Sequence, residues 1–276
     1  ALKLNNKDLY NRIVIVDQKN QGVSTARNNG VKAAKYPYIC FLDADDWWKP
    51  DFLEKMNELI LEYPDAGIYG CRYELLKNGR CINTNIGLPS GFEKGIIDYC
   101  DVYAKTLSMP LSSISVAIPK NILEAENGFK SELKLGEDFD LWIRIALKYP
   151  VVFINKVLAV YNQDVEAVNR AVVNKKLFEP STHYIFNIEY LQEQENQNPK
   201  LKYLLDRLRV YTLLRYRIQN AYIREVNREI AKVDFSKQSF KALLQFKLPI
   251  FFIMIFYQTK DKIIKLIKTL INEKNH

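Results

Sequence analysis

Histidine is almost missing from this chain, with two in 276 residues. A zinc centre built on imidazoles therefore has little to draw on. Cysteine is sparse as well. Cys40, Cys71, Cys81 and Cys100 show no CxxC spacing. They read as buried reduced thiols, which fits a cytosolic setting and excludes a disulfide framework. No uninterrupted apolar run approaches the ~20 residues that span a bilayer. There is no internal repeat and no low-complexity tract. The chain opens at Ala1, with neither a methionine nor a signal-peptide pattern. Hydrophobic residues make up 48%, so composition does not predict disorder. The length suits one large domain with an extension, or two domains.

Charge is present but lopsided. From Lys200 onward there are 17 Lys or Arg against 6 Asp or Glu, and the preceding residues carry 23 against 26. The net charge of +8 thus belongs to the C-terminal part. Such asymmetry points to an anionic partner surface. No nucleic-acid module accompanies the basic residues, so a nucleic-acid partner is not expected.

The pattern along the chain is β–α–β–α–β. Arg12–Val16 reads as a short buried strand. Asn20-Gln21-Gly22 marks a turn. Ser24 is placed as the N-cap of a helix running through Lys35, which stops before Pro37. Tyr38–Leu42 is the next strand. Pro50 opens a helix whose buried face is Phe52, Leu53, Met56, Leu59 and Ile60. Ala66–Cys71 is a third strand, and Asn78–Gly95 reads as loop. Leu111–Pro119, apolar with interleaved serines, is a strand. Phe139–Lys148 is a helix opened by Glu137-Asp138, and Val151–Val160 is another strand. From about Asn174 the text is helical. The expected architecture is α/β, a mixed and mostly parallel sheet flanked by helices, with an α-helical C-terminal extension. The expected domains are 1–173 and 174–276.

Asp43-Ala44-Asp45-Asp46 follows directly on the apolar run Tyr38–Leu42. Three carboxylates at the exit of a buried strand repel one another and resist desolvation. A divalent cation relieves both problems. A magnesium-type ion binds one or two carboxylates and shares its remaining positions with substrate phosphates. Ligands of open α/β sheets bind at the carboxyl ends of strands. In isolation the same residues are an acidic turn before a helix. What decides is the company they keep.

The segments Asn20–Gly30, Phe41–Asp46, Gly128-Phe129 and Gly136–Arg144, in this order and at these distances, resemble a family 2 glycosyltransferase of the GT-A fold. The resemblance covers roughly Arg12 to Tyr161. It implies inverting transfer of a sugar from a nucleotide-diphosphate donor to a hydroxyl of a glycan or lipid-linked acceptor. In such a family the setting is bacterial surface polysaccharide or lipopolysaccharide synthesis. Asp43 and Asp45 match the DxD motif. Asp45 would ligate Mn²⁺ or Mg²⁺ on the donor diphosphate, and Asp43 would contact ribose or metal. Asp46 either joins them or caps the following turn. Arg27 matches an arginine that approaches the nucleotide, with Asn20 beside it. Asp138 matches the catalytic base, held ionised by the helix dipole, and Glu137 competes for that role. Trp142 reads equally as a sugar platform or as core. Arg144 reads as an acceptor contact or as the i+4 partner of Asp140.

The family's opening strand, helix and second acidic strand do not appear ahead of Arg12. The chain is therefore expected to be a fragment, a truncated gene product or an incomplete piece of a longer protein, and on its own to bind donor weakly or not at all. Two rivals remain: a sugar-nucleotide pyrophosphorylase, which leaves Glu137-Asp138 unexplained, and a non-catalytic remnant. In the tail, the apolar run Leu248–Tyr257 precedes Ile263–Ile271 with interleaved lysines. It reads as an interfacial helix on an anionic membrane, or as a helix packed on its own protein. The expected location is cytoplasmic, peripheral at the inner face of the plasma membrane.

Overall fold

The computed structural model describes residues 12–164, 177–253, 255 and 259. The chain divides into two compact units, Ala1–Tyr184 and Ile185–His276. The boundary expected after residue 173 falls outside the described residues. Segment 182–184 belongs with the first unit because its backbone is tied there. Lys134 N donates to Thr182 O at 2.8 Å, and Tyr184 N donates to Leu135 O at 3.1 Å.

The first unit is a mixed sheet with helices. Helix α1 (Val23–Ala33) is followed by strands β1 (Tyr38–Cys40) and β2 (Trp47–Trp48), then by helix α2 (Phe52–Glu62). Strand β3 (Ile68–Lys77) forms a hairpin with β4 (Arg80–Asn83). Next come β5 (Lys94–Ile97), α3 (Tyr99–Thr106), β6 (Val116–Pro119), α4 (Lys120–Ala125), α5 (Glu137–Ala146) and β7 (Val151–Asn162). The strand order is β1-β6-β3-β7-β2, with β4 on β3 and β5 on β7.

The α/β class and flanking helices agree with expectation, but the strand directions do not. Among the described residues only β3 and β7 pair in parallel; the other five pairings are antiparallel. The parallel pair is the centre of the unit. It runs in register from Ile68↔Val151 to Leu76↔Asn162, with an irregularity around Arg72. Ile68–Cys71 and Val151–Phe153 are buried at every position, as befits strands covered on both faces. Phe52, Met56 and Leu59 of α2 pack on Tyr69, Cys71 and Val152.

Several local expectations change. Arg12–Val16 is not a strand, and its apolar residues face solvent, Ile15 at 87%. An apolar run becomes a buried strand only where a neighbour completes its ladder, and none of the described strands pairs with it. Ser24 is not the N-cap. That position is Gly22, whose amide is bonded by the Asn20 side chain at 3.1 Å. Asn78–Gly95 contains β4 and the start of β5. Leu53 is exposed rather than on the buried face of α2. Cys81 is exposed, whereas Cys71 and Cys100 are buried, and all four cysteines are free.

The second unit is helical, with α6 (Gln192–Gln197), α7 (Pro199–Ile218), α8 (Ile223–Ile230) and α9 (Phe240–Lys247). Asn198 caps α7 by accepting from Lys200 N and Leu201 N, and Pro199 suits its first turn. Leu201, Leu204, Leu205 and Leu208 are buried at helical spacing. Arg209, expected only as one of a series of basic residues, is 1% exposed and ion-paired with Glu195, Asp206 and Glu229. Among the described residues no helix is long and apolar enough to cross a membrane. The expected helix over Ile263–Ile271 lies outside the described residues.

Candidate functional site

Arg27 is where the sequence motifs meet. It lies on α1, and the Asn20–Gly22 turn fixes the start of that helix. Its Nη2 donates to both carboxylate oxygens of Asp43, at 3.1 and 3.0 Å, and to Ser113 Oγ at 3.0 Å. Its Nη1 donates to Glu137 Oε1 at 3.4 Å. Its guanidinium carbon stands 5.4 Å from the centre of the Phe129 ring. One side chain thus joins the acidic turn, the Glu-Asp pair and the Gly128-Phe129 turn. The acidic turn is separated from the other two by more than 80 residues of sequence.

Each partner is positioned by backbone chemistry. The acidic turn closes with Asp46 N donating to Asp43 O at 3.1 Å. Asn162 N donates to Asp46 Oδ1 at 2.7 Å, anchoring the turn to the end of β7. Trp48 then stacks on Phe52 at 4.3 Å and donates to Ile114 O at 2.7 Å. Asn28 holds the Phe129 turn with two bonds, Nδ2 to Phe129 O at 2.7 Å and Phe129 N to Oδ1 at 2.9 Å. Gly136 caps α5 at φ +79°, and a Cβ there would lie 2.1 Å from the Tyr184 ring. No other residue fits both demands. Glycine therefore sets the position at which Glu137 and Asp138 emerge.

The electrostatics are those of too many carboxylates for one guanidinium. Burial raises Glu137 to about 7, and the charge of Asp138 adds to it, against Arg27. Asp138 was expected to be held ionised by the helix dipole. It is instead shifted upward, because burial outweighs the Phe139 amide and Arg27. Asp46 is raised to about 6 by burial, with Asp45 and Asp43 adding to the shift. Its Oδ2 is buried without a hydrogen-bond partner. Tyr161 at the end of β7 senses four of these groups. Burial raises its phenol first, then Asp46, Asp43, Asp45 and Asp138.

The residues expected at the site therefore sort into three groups. Arg27, Asp43, Glu137 and Asp138 come together, with Asp45 exposed on the same turn. Asn20 is exposed and shapes the turn before α1. Trp142 and Arg144 do not face the site. Trp142 is fully buried against Phe129 at 5.8 Å, which leaves no ring face for a sugar. Arg144 pairs with Asp140 at 2.9 Å and donates to Gly128 O at 2.8 Å, so it clamps α5 to the Phe129 turn. Sequence reasoning gave no role to Ser113, Asn28 or Tyr161. The serines interrupting the apolar run Leu111–Pro119 were the available signal for Ser113.

Among the described residues no group of three or more His, Cys, Asp or Glu side chains is placed to hold a metal. The donors present are all carboxylate oxygens, and one buried oxygen of Asp46 lacks a partner. That set fits a hard cation taking one or two protein ligands and completing its shell with phosphate and water. It does not fit an all-protein cage. Such an ion would be held by Asp45, which is exposed, and by Asp43, whose two oxygens also accept from Arg27.

Residues 3–96 match the family described as Glycosyl transferase family 2. Over 76 residues the chain is 34% identical to a putative glycosyltransferase EpsH of Bacillus subtilis, covering 28% of this chain and 22% of that protein. Over 158 residues it is 29% identical to an amylovoran biosynthesis glycosyltransferase AmsB of Erwinia amylovora, covering 54% of this chain and 50% of that one. The matches therefore span half or less of these relatives. The S. aureus TarS 1-349 structure in complex with UDP-GlcNAc aligns with 83% of this chain and 60% of its own, at 16% identity and a TM-score of 0.46.

Proposed function

We propose that this chain, which matches Glycosyl transferase family 2 over residues 3–96, belongs to an enzyme that moves a sugar from a nucleoside-diphosphate donor to a hydroxyl of a glycan or lipid-linked acceptor, with inversion. The observation that carries this reading is the Arg27 bridge. It brings the acidic turn after β1 to the Glu-Asp pair opening α5.

The chemistry follows from that juxtaposition. An acceptor oxygen attacks the anomeric carbon on the face opposite the diphosphate. The bond from that carbon to the phosphate oxygen breaks, and its electron pair leaves on the diphosphate. The acceptor proton goes to a carboxylate within hydrogen-bond reach. Asp138 is that base. Glu137 is already held by Arg27. Asp138 has no ion-pair partner among the described residues, and its Oδ1 accepts from Phe139 N at 2.8 Å. Its raised affinity for protons makes it a stronger base once ionised. Arg27 balances charge at Asp43 and Glu137 and orients both. Mn²⁺ or Mg²⁺ would be held by Asp45 and Asp43, and it would supply Lewis-acid stabilisation of the leaving diphosphate.

The Erwinia relative's name refers to amylovoran biosynthesis, which favours an acceptor in a surface polysaccharide. Four free cysteines suit a reducing, cytoplasmic setting. The test is incubation with a panel of nucleoside-diphosphate sugars, Mn²⁺ and glycan acceptors. Release of nucleoside diphosphate, lost in Asp138→Asn, is the expected result. Release of pyrophosphate would identify a pyrophosphorylase instead. Release unchanged by Asp138→Asn sinks the assignment of the base.

A further inference from the structure

The second unit carries large apolar side chains in solvent where its neighbours are cationic. Helix α9 buries Ala242 and Phe246 on one side. On another it presents Phe240, 72% exposed, and Leu244 one turn later. The chain continues through Leu248 into helical residues 250–253, where Phe251 is 65% and Phe252 58% exposed; Ile255 beyond them is also exposed. A helix apolar on two sides satisfies only one of them within its own fold. Scattered single apolar residues at a surface need no explanation, but six within sixteen positions do.

The charge around them has one sign. Between Asp234 and Asp261 there is no acidic residue, while Lys237, Lys241, Lys247 and Lys260 are present. Lys237, Lys241 and Lys247 are exposed. Arg217 anchors the segment by donating to Leu248 O at 2.8 Å, with its guanidinium carbon 5.7 Å from the centre of the Phe246 ring. Apolar side chains flanked by lysines, with no acid among them, complement an interface that is apolar inside and anionic outside.

We infer that Phe240, Leu244, Leu248, Phe251 and Phe252 dock this unit on an anionic lipid surface, the rings entering the headgroup–acyl boundary and the lysines meeting lipid phosphates. The site begins upstream of the apolar run visible in the sequence, since Phe240 and Leu244 precede Leu248. It does not depend on the transferase reading; lipid binding stands even if no sugar is moved.

The experiment is co-sedimentation of the full chain with vesicles of phosphatidylcholine alone or mixed with phosphatidylglycerol. Binding is expected only to the acidic vesicles and should fall with added salt. The double variant Phe251→Ser with Phe252→Ser should weaken it by roughly tenfold or more. Lys241→Glu with Lys247→Glu should weaken it similarly while leaving both rings in place. All substituted side chains are exposed, so thermal unfolding should be unchanged. Equal binding by wild type and both variants overturns the inference. So does equal binding to neutral vesicles. Concentration-dependent dimers abolished by the Phe variants, without vesicle binding, would assign the surface to a second copy instead.

Discussion

Each unit of this protein places an arginine among carboxylates, and the two clusters are balanced differently. In the second unit Arg209 is enclosed by Glu195, Asp206 and Glu229, and Lys202 and Lys232 approach the same acids. Arg228 bonds Glu229 as well and pairs outward with Glu189, so four anions meet four cations around the buried Arg209. In the first unit Arg27 faces Asp43 and Glu137, while Asp45 and Asp43 add to the upward shift of Asp46 and Asp43 adds to those of Glu137 and Asp138. A neutral buried cluster fixes a fold; an uncompensated one holds affinity for a cation or a proton in reserve. Perturbed carboxyls concentrate at functional sites for that reason.

The sharpest way to break this comparison is to remove one member of each cluster. Asp138→Asn should lower transfer by about 10²- to 10⁴-fold, measured as nucleoside diphosphate release, with no loss of unfolding temperature at neutral pH, since a carboxyl raised on folding costs stability when ionised. In the unsubstituted protein the rate should fall as pH drops, on a limb lying above the ordinary carboxylate range, because burial shifts Asp138 upward. The base must be ionised to accept a proton. Arg27 lowers both carboxyls, so Arg27→Met should move that limb to higher pH. Arg209→Met should instead cost about 3–5 kcal/mol of stability, because it leaves buried anions unpaired. Chemical denaturation followed by far-UV circular dichroism reads this out. If Arg209→Met is stable while the Arg27 variant unfolds, the roles of the two clusters are reversed.

Asp46 sharpens the contrast from the other side. Its carboxyl is raised from 3.8 to about 6 on folding. A raised folded value means stability is greatest below the unfolded pKa and is lost as pH rises through the folded one. Asp46→Asn should therefore stabilise the protein by about 2 kcal/mol above pH 6. Below pH 4 it should change little. Oδ1 of the asparagine can still accept from Asn162 N, so the turn is preserved. A loss of stability at neutral pH would mean that Asp46 is needed as an anion by the fold itself.

What the sequence revealed, and what it hid, follows the same physical division. The DxDD turn, the arginine of α1 and the Glu-Asp helix start were legible as motifs, and the structure brings them together. The helices α1 and α2 were legible from periodicity with Pro37 after the one and Pro50 before the other, and α5 from the Glu137-Asp138 pair that opens it. Strand direction was not. The pattern at β1 and β6 is apolar whichever way the strands run, and only the pairing Tyr38↔Pro119 shows them antiparallel. Arg12–Val16 misled for a related reason: apolarity signals a strand, but pairing makes one. Trp142 and Arg144 lie on the same helix as Asp138, and a list of residues does not say which face each takes. The packing of Trp142 on Phe129 decides it.

The smallest effect expected is also the most direct reading of the charge imbalance. If the acidic turn accepts a divalent ion, Mn²⁺ at about tenfold its dissociation constant should stabilise the protein by about 1.4 kcal/mol. The shift should appear in thermal unfolding without donor or acceptor, so it does not depend on turnover. Asp45→Asn should abolish it, because Asp45 is the exposed carboxylate with room for the ion's remaining ligands. Asp43→Asn should reduce it less, since Arg27 already shares that group. Lys202→Ala in the second unit should leave it unchanged. Sodium chloride at matched ionic strength separates binding from screening, for screening acts on exposed charge generally. A shift that survives in Asp45→Asn, or that sodium reproduces, would mean that the surplus of carboxylates is neutralised by something other than a cation in the acidic turn. The donor's own charge would then have to be met by Arg27, at the cost of its bond to Asp43.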